Sequence, residues 1–301
     1  VTKPALESLL ADPSRFVMAV EVEPGKDDGG TGSAAAATAR ALGFAAFDRV
    51  DVVCLTDNAR GQSRLRPEVV ARHVVDAGQE VTITVSCKDL NRNGIESRLW
   101  EAEGAGYRNI IAVSGDFPAA GPNGGPRPVF DIDSVGLLAL LGRMNEGHGC
   151  RLFPGAVVNP YKWTEAESVL QYQKLALKVR TGARFVVTQI GFDARKADEL
   201  LQHARSNAID VPFIGGVFVL SGPAARAFRR GAVPGVTISD ELLERSEREA
   251  AGPDRGRAYF DELAARQVAV LRGLGYRGVY LSGVASAGRL ARILGGVDAF
   301  A

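Results

Sequence analysis

The sequence is poor in histidine and cysteine and carries no excess of charge. Its three cysteines, Cys54, Cys87 and Cys150, are widely spaced and odd in number. That usage argues against a disulfide framework and a zinc knuckle, and suits a reducing cytosol. The 36 Lys and Arg are nearly matched by 35 Asp and Glu, for a net charge of +1. Such a balance offers no electrostatic footprint for nucleic acid. No stretch approaches the roughly 18 uninterrupted apolar residues of a transmembrane helix. The first residues, VTKPALESLLADPSR, lack the apolar core of a signal peptide. A cytoplasmic protein without nucleic-acid or membrane partners is expected. With 46% hydrophobic and 24% charged residues, the chain is not a disordered one.

What is present is a recurring pattern of short, β-branched apolar runs. Eight strands are expected, at Phe16–Val22, Val50–Leu55, Val81–Val85, Asn109–Val113, Gly155–Val158, Phe185–Gln189, Phe213–Val219 and Gly278–Leu281. Near-continuous Val/Ile/Ala runs are the mark of parallel strands buried on both faces. Helical patterns lie between them. Pro67–Ala77 opens with proline. Ile95–Gly104 and Asp133–Met144 have helical spacing, as do Ala194–Ala208 and Ala287–Leu294. Thr164–Thr181 begins with a capping-box signature, Thr164 with Glu167. Strand and helix in eightfold alternation predict a (β/α)8 TIM barrel, a single domain over residues 1–301. An open doubly wound sheet is the competing architecture. The fold usually takes about 250 residues. The surplus is expected in the Gly/Pro loop Pro118–Pro128 and in a helical segment, Ser239–Leu274, before the last strand.

Two glycine-rich stretches need weighing. Gly273, Gly275 and Gly278 spell GxGxxG, but they precede a strand, whereas a dinucleotide fingerprint follows one. The loop Gly25–Ser33 follows the first strand and could hold an anion on backbone N–H groups. An ordinary Gly-rich βα loop is the simpler reading, and the loop lacks the GK[ST] ending of a P-loop.

In such a barrel, chemistry belongs at the C-terminal ends of the strands. Those ends read Glu21-Val22-Glu23, Thr56-Asp57-Asn58, Ser86-Cys87-Lys88-Asp89, Ser114-Gly115-Asp116, Asn159-Pro160-Tyr161 and Thr188-Gln189, with Ser221 and Ser282 closing the last two. Carboxylates and amides dominate and histidine is absent. His73 and His203 fall on helices and His148 in a connector, so no metal site is expected. Glu21 at the barrel mouth, flanked by Val20 and Val22, is placed for desolvation, which would let it act as a general acid near neutral pH. A salt bridge with Lys26 or Arg49 is the alternative. Lys88 is the one candidate for a Schiff-base lysine of a barrel lyase, and reads more simply as a rim residue. Cys87 reads as a buried, inert thiol.

These motifs resemble those of the methylenetetrahydrofolate reductases. VEVEP (Val20–Pro24) is similar to the signature that opens that family. The block Ser86–Pro118 resembles its third and fourth strands, with the Gly-Asp-x-Pro ending. Gly155–Pro160 and Leu177–Asp193 match its fifth and sixth strands. The resemblance implies conversion of methylenetetrahydrofolate to methyltetrahydrofolate. Hydride then comes from NADH or NADPH, through FAD or directly, in either physiological direction. It implies Glu21 as general acid and Asp116 as the electrostatic partner of the iminium cation. Gln189 would hydrogen-bond the folate, with Phe228 packing on it. Thr56, Gly115, Asp116 and Lys178 would touch the cofactor. Several flavin-contact positions depart from the family: Thr84, Ser114, Val158, Gln171 and Lys174 stand where other residues are usual. The resemblance makes FAD the expected carrier, and the departures raise flavin-free transfer. They also raise a non-catalytic folate-binding subunit that partners a methyltransferase, and a homo-oligomer is a further possibility.

Overall fold

The Val/Ile-rich runs hydrogen-bond in chain order into one closed parallel barrel. The computed structural model describes residues 2–25, 32–120 and 124–300. The strands are β1 Val17–Val22, β2 Val52–Leu55, β3 Val81–Ser86, β4 Asn109–Val113, β5 Phe153–Val158, β6 Phe185–Ile190, β7 Phe213–Phe218 and β8 Gly278–Ser282. The ring closes where β8 pairs with β1, Val17 opposite Gly278 and Val20 opposite Leu281. All eight expected strands form, with ends shifted by a residue or two. β5 starts ahead of its expected position because Pro154 does not end it. The Pro154 carbonyl still accepts a bond from the Arg184 N–H at 2.8 Å.

Strand alternation sorts the core into two layers. Residues such as Val20, Leu55, Ile83, Ile110 and Val279 face outward and pack under the helices. Val17, Ala19, Val52, Ile111, Phe153, Phe185, Val187 and Ile214 face inward and fill the barrel. Phe153 and Phe185 stack with centroids 5.2 Å apart. A Cβ on Gly155 would lie 2.3 Å from the Phe185 ring, so only glycine leaves room for this stack. A short helix not expected from the sequence, α1 (Leu6–Ala11), adds Leu6, Leu9 and Leu10 to the inner layer. Its N-terminal amide donates to Glu80 ahead of β3 at 2.9 Å, and Glu7 pairs with Arg184 ahead of β6 at 2.9 Å. The N-terminal end of the barrel is therefore plugged with leucine.

The remaining helices are α2 Gly32–Ala45, α3 Pro67–Asp76, α4 Arg92–Ala105, α5 Ser134–His148, α6 Glu165–Arg180, α7 Ala194–Ser206, α8 Gly222–Arg229, α9 Asp240–Ala250, α10 Arg257–Leu274 and α11 Ala287–Asp298. The capping box of α6 forms as expected, Thr164 with Glu167. The expected insertion Ser239–Leu274 is two helices, broken at Gly252-Pro253, and α10 packs on β7 and β8 as a regular barrel helix. The surplus is α8 and α9 together with the long connection 114–133 between β4 and α5, which holds the expected Pro118–Pro128 loop and of which residues 121–123 lie outside the described residues. Among the described residues, no helix is long and apolar enough to cross a membrane.

Candidate active site

With the N-terminal end plugged, the open space lies at the other mouth. A cavity of about 600 Å³ is lined by the C-terminal ends of the strands, the loops that follow them, and α6 and α8. Glu21, Thr56, Gly115, Asp116, Lys178, Gln189 and Phe228 all lie on its wall.

Glu21 is the inward residue two places after Ala19 on β1, with Cys54 of β2 as its register partner. Its side chain lies on the cavity wall and the residue is half-buried. Burial raises its pKa from 4.5 to about 7, against a hydrogen bond from the Tyr280 hydroxyl on β8. The nearby Glu23 charge pushes the same way as burial. Glu23 is itself neutralised by Arg60 at 2.9 Å and Arg64 at 2.6 Å. No described cation forms an ion pair with Glu21. Arg49 pairs instead with Asp298 at 2.7 Å. Lys26, and with it most of the Gly25–Ser33 loop, lies outside the described residues.

Asp116 follows a backbone turn that needs glycine. Gly115 has φ +90°, and a Cβ there would meet the Lys88 stem at 3.0 Å. Lys88 is not a rim residue as expected. It is 2% exposed and ion-paired with Asp89, which also accepts from Asn58 at 2.8 Å. That pairing leaves its amine poorly suited to Schiff-base chemistry. Beneath the wall, the buried Asp57 carboxylate accepts from Ser86 N–H at 3.0 Å and Arg98 at 2.8 Å. Burial disfavours the Arg98 charge, but Asp57 and Glu68 outweigh it and hold the proton more firmly than usual. The Thr56 hydroxyl is buried with no described protein partner, so a ligand in the cavity would satisfy it.

On the far wall, Lys178 of α6 donates to the Val157 carbonyl at 2.7 Å. Burial, and then the Lys174 charge, lower its pKa to about 8. Gln189 accepts from the Ile190 N–H at 2.9 Å and reaches the Pro234 carbonyl at 3.5 Å. Asn159 ties the same segment down through the Gly235 carbonyl at 2.8 Å. Phe228 of α8 packs edge-on against Phe218 at 5.0 Å.

Among the positions where the chain departs from the resembled family, Thr84, Ser114 and Gln171 line the cavity. Val158 faces the outer core, its inward neighbour being Val157, and Lys174 is exposed on α6. Sequence reasoning did not single out Tyr280, although strand parity from Gly278 would have turned it inward. Cys87 lies in the outer core with its thiol pushed up to about 12, as expected of an inert group. His73 and His148 are exposed, His148 closing α5 where a connector was expected, and His203 stacks on Tyr172 at 4.4 Å. No metal-binding cluster occurs among the described residues.

A model of the family described as methylenetetrahydrofolate reductase matches residues 7–294. The chain is 26% identical over 157 residues to a probable methylenetetrahydrofolate reductase (NADPH) of Caenorhabditis elegans, covering 51% of this chain and 22% of that protein. It is 26% identical over 171 residues to the 5,10-methylenetetrahydrofolate reductase of Salmonella typhimurium, covering 56% of this chain and 54% of that one. The match thus spans about a fifth of the worm protein and about half of the bacterial one. Among solved structures, it resembles an uncharacterised Clostridium thermocellum protein that binds two copies of 5-methyl-5,6,7,8-tetrahydrofolic acid. The TM-score is 0.70 at 12% identity, covering 98% of this chain and 99% of that one. Xanthomonas albilineans dihydropteroate synthase aligns at TM-score 0.54 and 15% identity, covering 96% and 95%. These structural likenesses are of fold alone. The family match runs from α1 into α11 and takes in every strand that carries a cavity residue, so the chain belongs to the methylenetetrahydrofolate reductase family.

Proposed function

We propose that this chain, as a single barrel domain, reduces methylenetetrahydrofolate to methyltetrahydrofolate with NADH or NADPH as hydride source. The observation that carries the reading is Glu21, a carboxyl on the wall of the family's barrel whose pKa is raised to about 7. A general acid works best when its pKa lies near the operating pH. Gln189 would orient the pterin through its amide edge. Glu21 donates its proton to the ring nitrogen that leaves as the imidazolidine opens. The other nitrogen keeps the methylene as an iminium cation. Asp116 stabilises that positive charge. Hydride from the dihydronicotinamide forms the new C–H bond, the methylene becomes methyl, and the nicotinamide departs oxidised. Glu21 then regains a proton from solvent. The same groups serve the oxidative direction, which cofactor ratios decide.

FAD, the carrier that the family resemblance leads one to expect, fits the described wall poorly. A flavin dinucleotide brings a diphosphate, which free cations or backbone N–H groups would have to hold. Of the three described cations on the wall, Arg60 is held by Glu23 and Lys88 by Asp89. Lys178 alone remains, with its positive charge weakened by burial. Val158 and Lys174 do not reach the cavity. Direct transfer from nicotinamide to folate is therefore the reading we favour. A non-catalytic folate-binding subunit would have no use for a carboxyl tuned to about 7.

The test is a purified protein assayed with methylenetetrahydrofolate and each reduced nicotinamide. A colourless protein that oxidises the nicotinamide stoichiometrically with methyltetrahydrofolate formed is the expected result. Flavin absorbance that tracks activity would overturn direct transfer. Folate binding without turnover would overturn the reductase reading.

A further inference from the structure

We propose that the outward face of α6 is the contact surface of a two-fold symmetric dimer of this chain. The inner face of α6 is settled: Ser168 and Leu175 are buried, and Gln171 and Lys178 reach the cavity. At 3.6 residues per turn, Ala166, Val169, Leu170, Gln173 and Leu177 share the opposite side. Val169, Leu170 and Leu177 are 50%, 56% and 42% exposed, and Trp163, just ahead of the helix, is 69% exposed. Of the ten large hydrophobic residues exposed among the described residues, four thus fall on this one stretch. A barrel helix ordinarily turns polar residues to solvent, and a continuous apolar stripe marks a surface that is covered.

The charges along α6 identify the occupant. Glu165 and Glu167 stand in its first turn, and Lys174 and Arg180 in its second half. An antiparallel helix brings opposite ends together. About a two-fold axis near residue 171, Glu167 meets Lys174 of the second copy, and its own Lys174 meets the other Glu167. Both residues lie on the same flank of the stripe, and a two-fold axis places like flanks side by side. The pairing also sets Ala166 against Leu177 and Leu170 against Gln173, small or flexible opposite large. A partner of one charge sign would satisfy half of this pattern. A second copy satisfies all of it, with the helix dipoles opposed. The stripe from Trp163 to Leu177 is about 21 Å long. One helix pair covers less than the roughly 800 Å² per partner of a standard interface. Dissociation at micromolar concentration is therefore expected.

Sedimentation velocity of the full chain from ~1 to ~200 µM tests this, since that range brackets a micromolar dissociation constant. The expected result is a reversible monomer–dimer equilibrium that weakens with salt. Leu170→Glu should raise the dissociation constant roughly 30-fold or more, as loss of an interface hot spot does. Circular dichroism and the denaturation midpoint should stay unchanged. Lys174→Glu should weaken the dimer, whereas Lys174→Arg, which keeps the charge, should leave it intact. A chain that stays monomeric throughout overturns the proposal. So does a dimer that neither Leu170→Glu nor Lys174→Glu disturbs, because it would form through another surface. If Leu170→Glu fails to fold, the exposed Lys174→Glu and the salt dependence carry the test.

Discussion

Replacing Glu21 by Gln should trade activity for stability, and the trade should depend on pH. The folded carboxyl holds its proton up to about 7, against an ordinary 4.5, chiefly because burial penalises its charge. Below pH 4.5 both folded and unfolded chains carry the proton, and Glu21 costs nothing. Between pH 4.5 and about 7 the folded state binds more protons than the unfolded one, so stability falls as pH rises. Above pH 7 the full cost is present. One pH unit corresponds to about 1.4 kcal/mol, so a rise from 4.5 to about 7 amounts to about 3 kcal/mol. Gln cannot ionise and keeps the shape. Glu21→Gln should therefore match the parent in denaturant unfolding near pH 4.5 and exceed it by up to about 3 kcal/mol near pH 8.5. The reductase activity of the variant should fall by roughly 10²–10⁴, the usual worth of a general acid, while folate still binds. Equal gains at both pH values would refute the argument, because the effect would then owe nothing to ionisation. Full turnover by the variant would remove Glu21 from the acid role.

Three further outcomes are expected. Tyr280→Phe removes the hydroxyl that favours the charged form of Glu21. The alkaline limb of the rate profile should move to higher pH with KM for folate unchanged, and an unmoved limb would separate the two groups. Arg98→Leu leaves the buried Asp57 and Glu68 carboxylates without their shared cation. Breaking such a buried pair costs about 3–5 kcal/mol, readable as a lowered denaturation midpoint. Gly155→Ala forces a methyl against the Phe185 ring. Overpacking should cost about 1–3 kcal/mol, and Phe185→Leu in the same chain should recover part of it.

Much of the architecture was legible in the sequence because its signals are local. Strand alternation, the Thr164–Glu167 capping box and the Pro67 helix start each rest on residues within one turn or one strand. The candidate site was legible in part for a related reason: in parallel barrels function gathers at the strand ends, so position put Glu21, Thr56, Asp116 and Gln189 among the candidates, and only the family resemblance gave Thr56, Asp116 and Gln189 proposed roles. The misses were of another kind. α1 is too short for periodicity to register, and its leucines make sense only against the inner layer that they plug. Ser239–Leu274 read as one insertion because nothing in its sequence states that α10 packs on β7 and β8. Lys88 looked like a rim residue because its burial comes from the Gly115 turn and from Asp89. Tyr280 was passed over although its strand parity was readable.

By itself, the sequence determined the barrel, the mouth where chemistry can occur, and the residue types available there. Tertiary structure alone decided their chemical state. Tyr280 reaches Glu21 only because β8 closes on β1. The raised pKa of Glu21 depends on how deeply distant strands and helices bury its carboxyl. The pairing of Arg60 and Lys88 with carboxylates leaves less unpaired positive charge on the described wall. Proton affinity and available charge depend on through-space distance and solvent exclusion, which neighbours in the chain do not fix and closure of the barrel does.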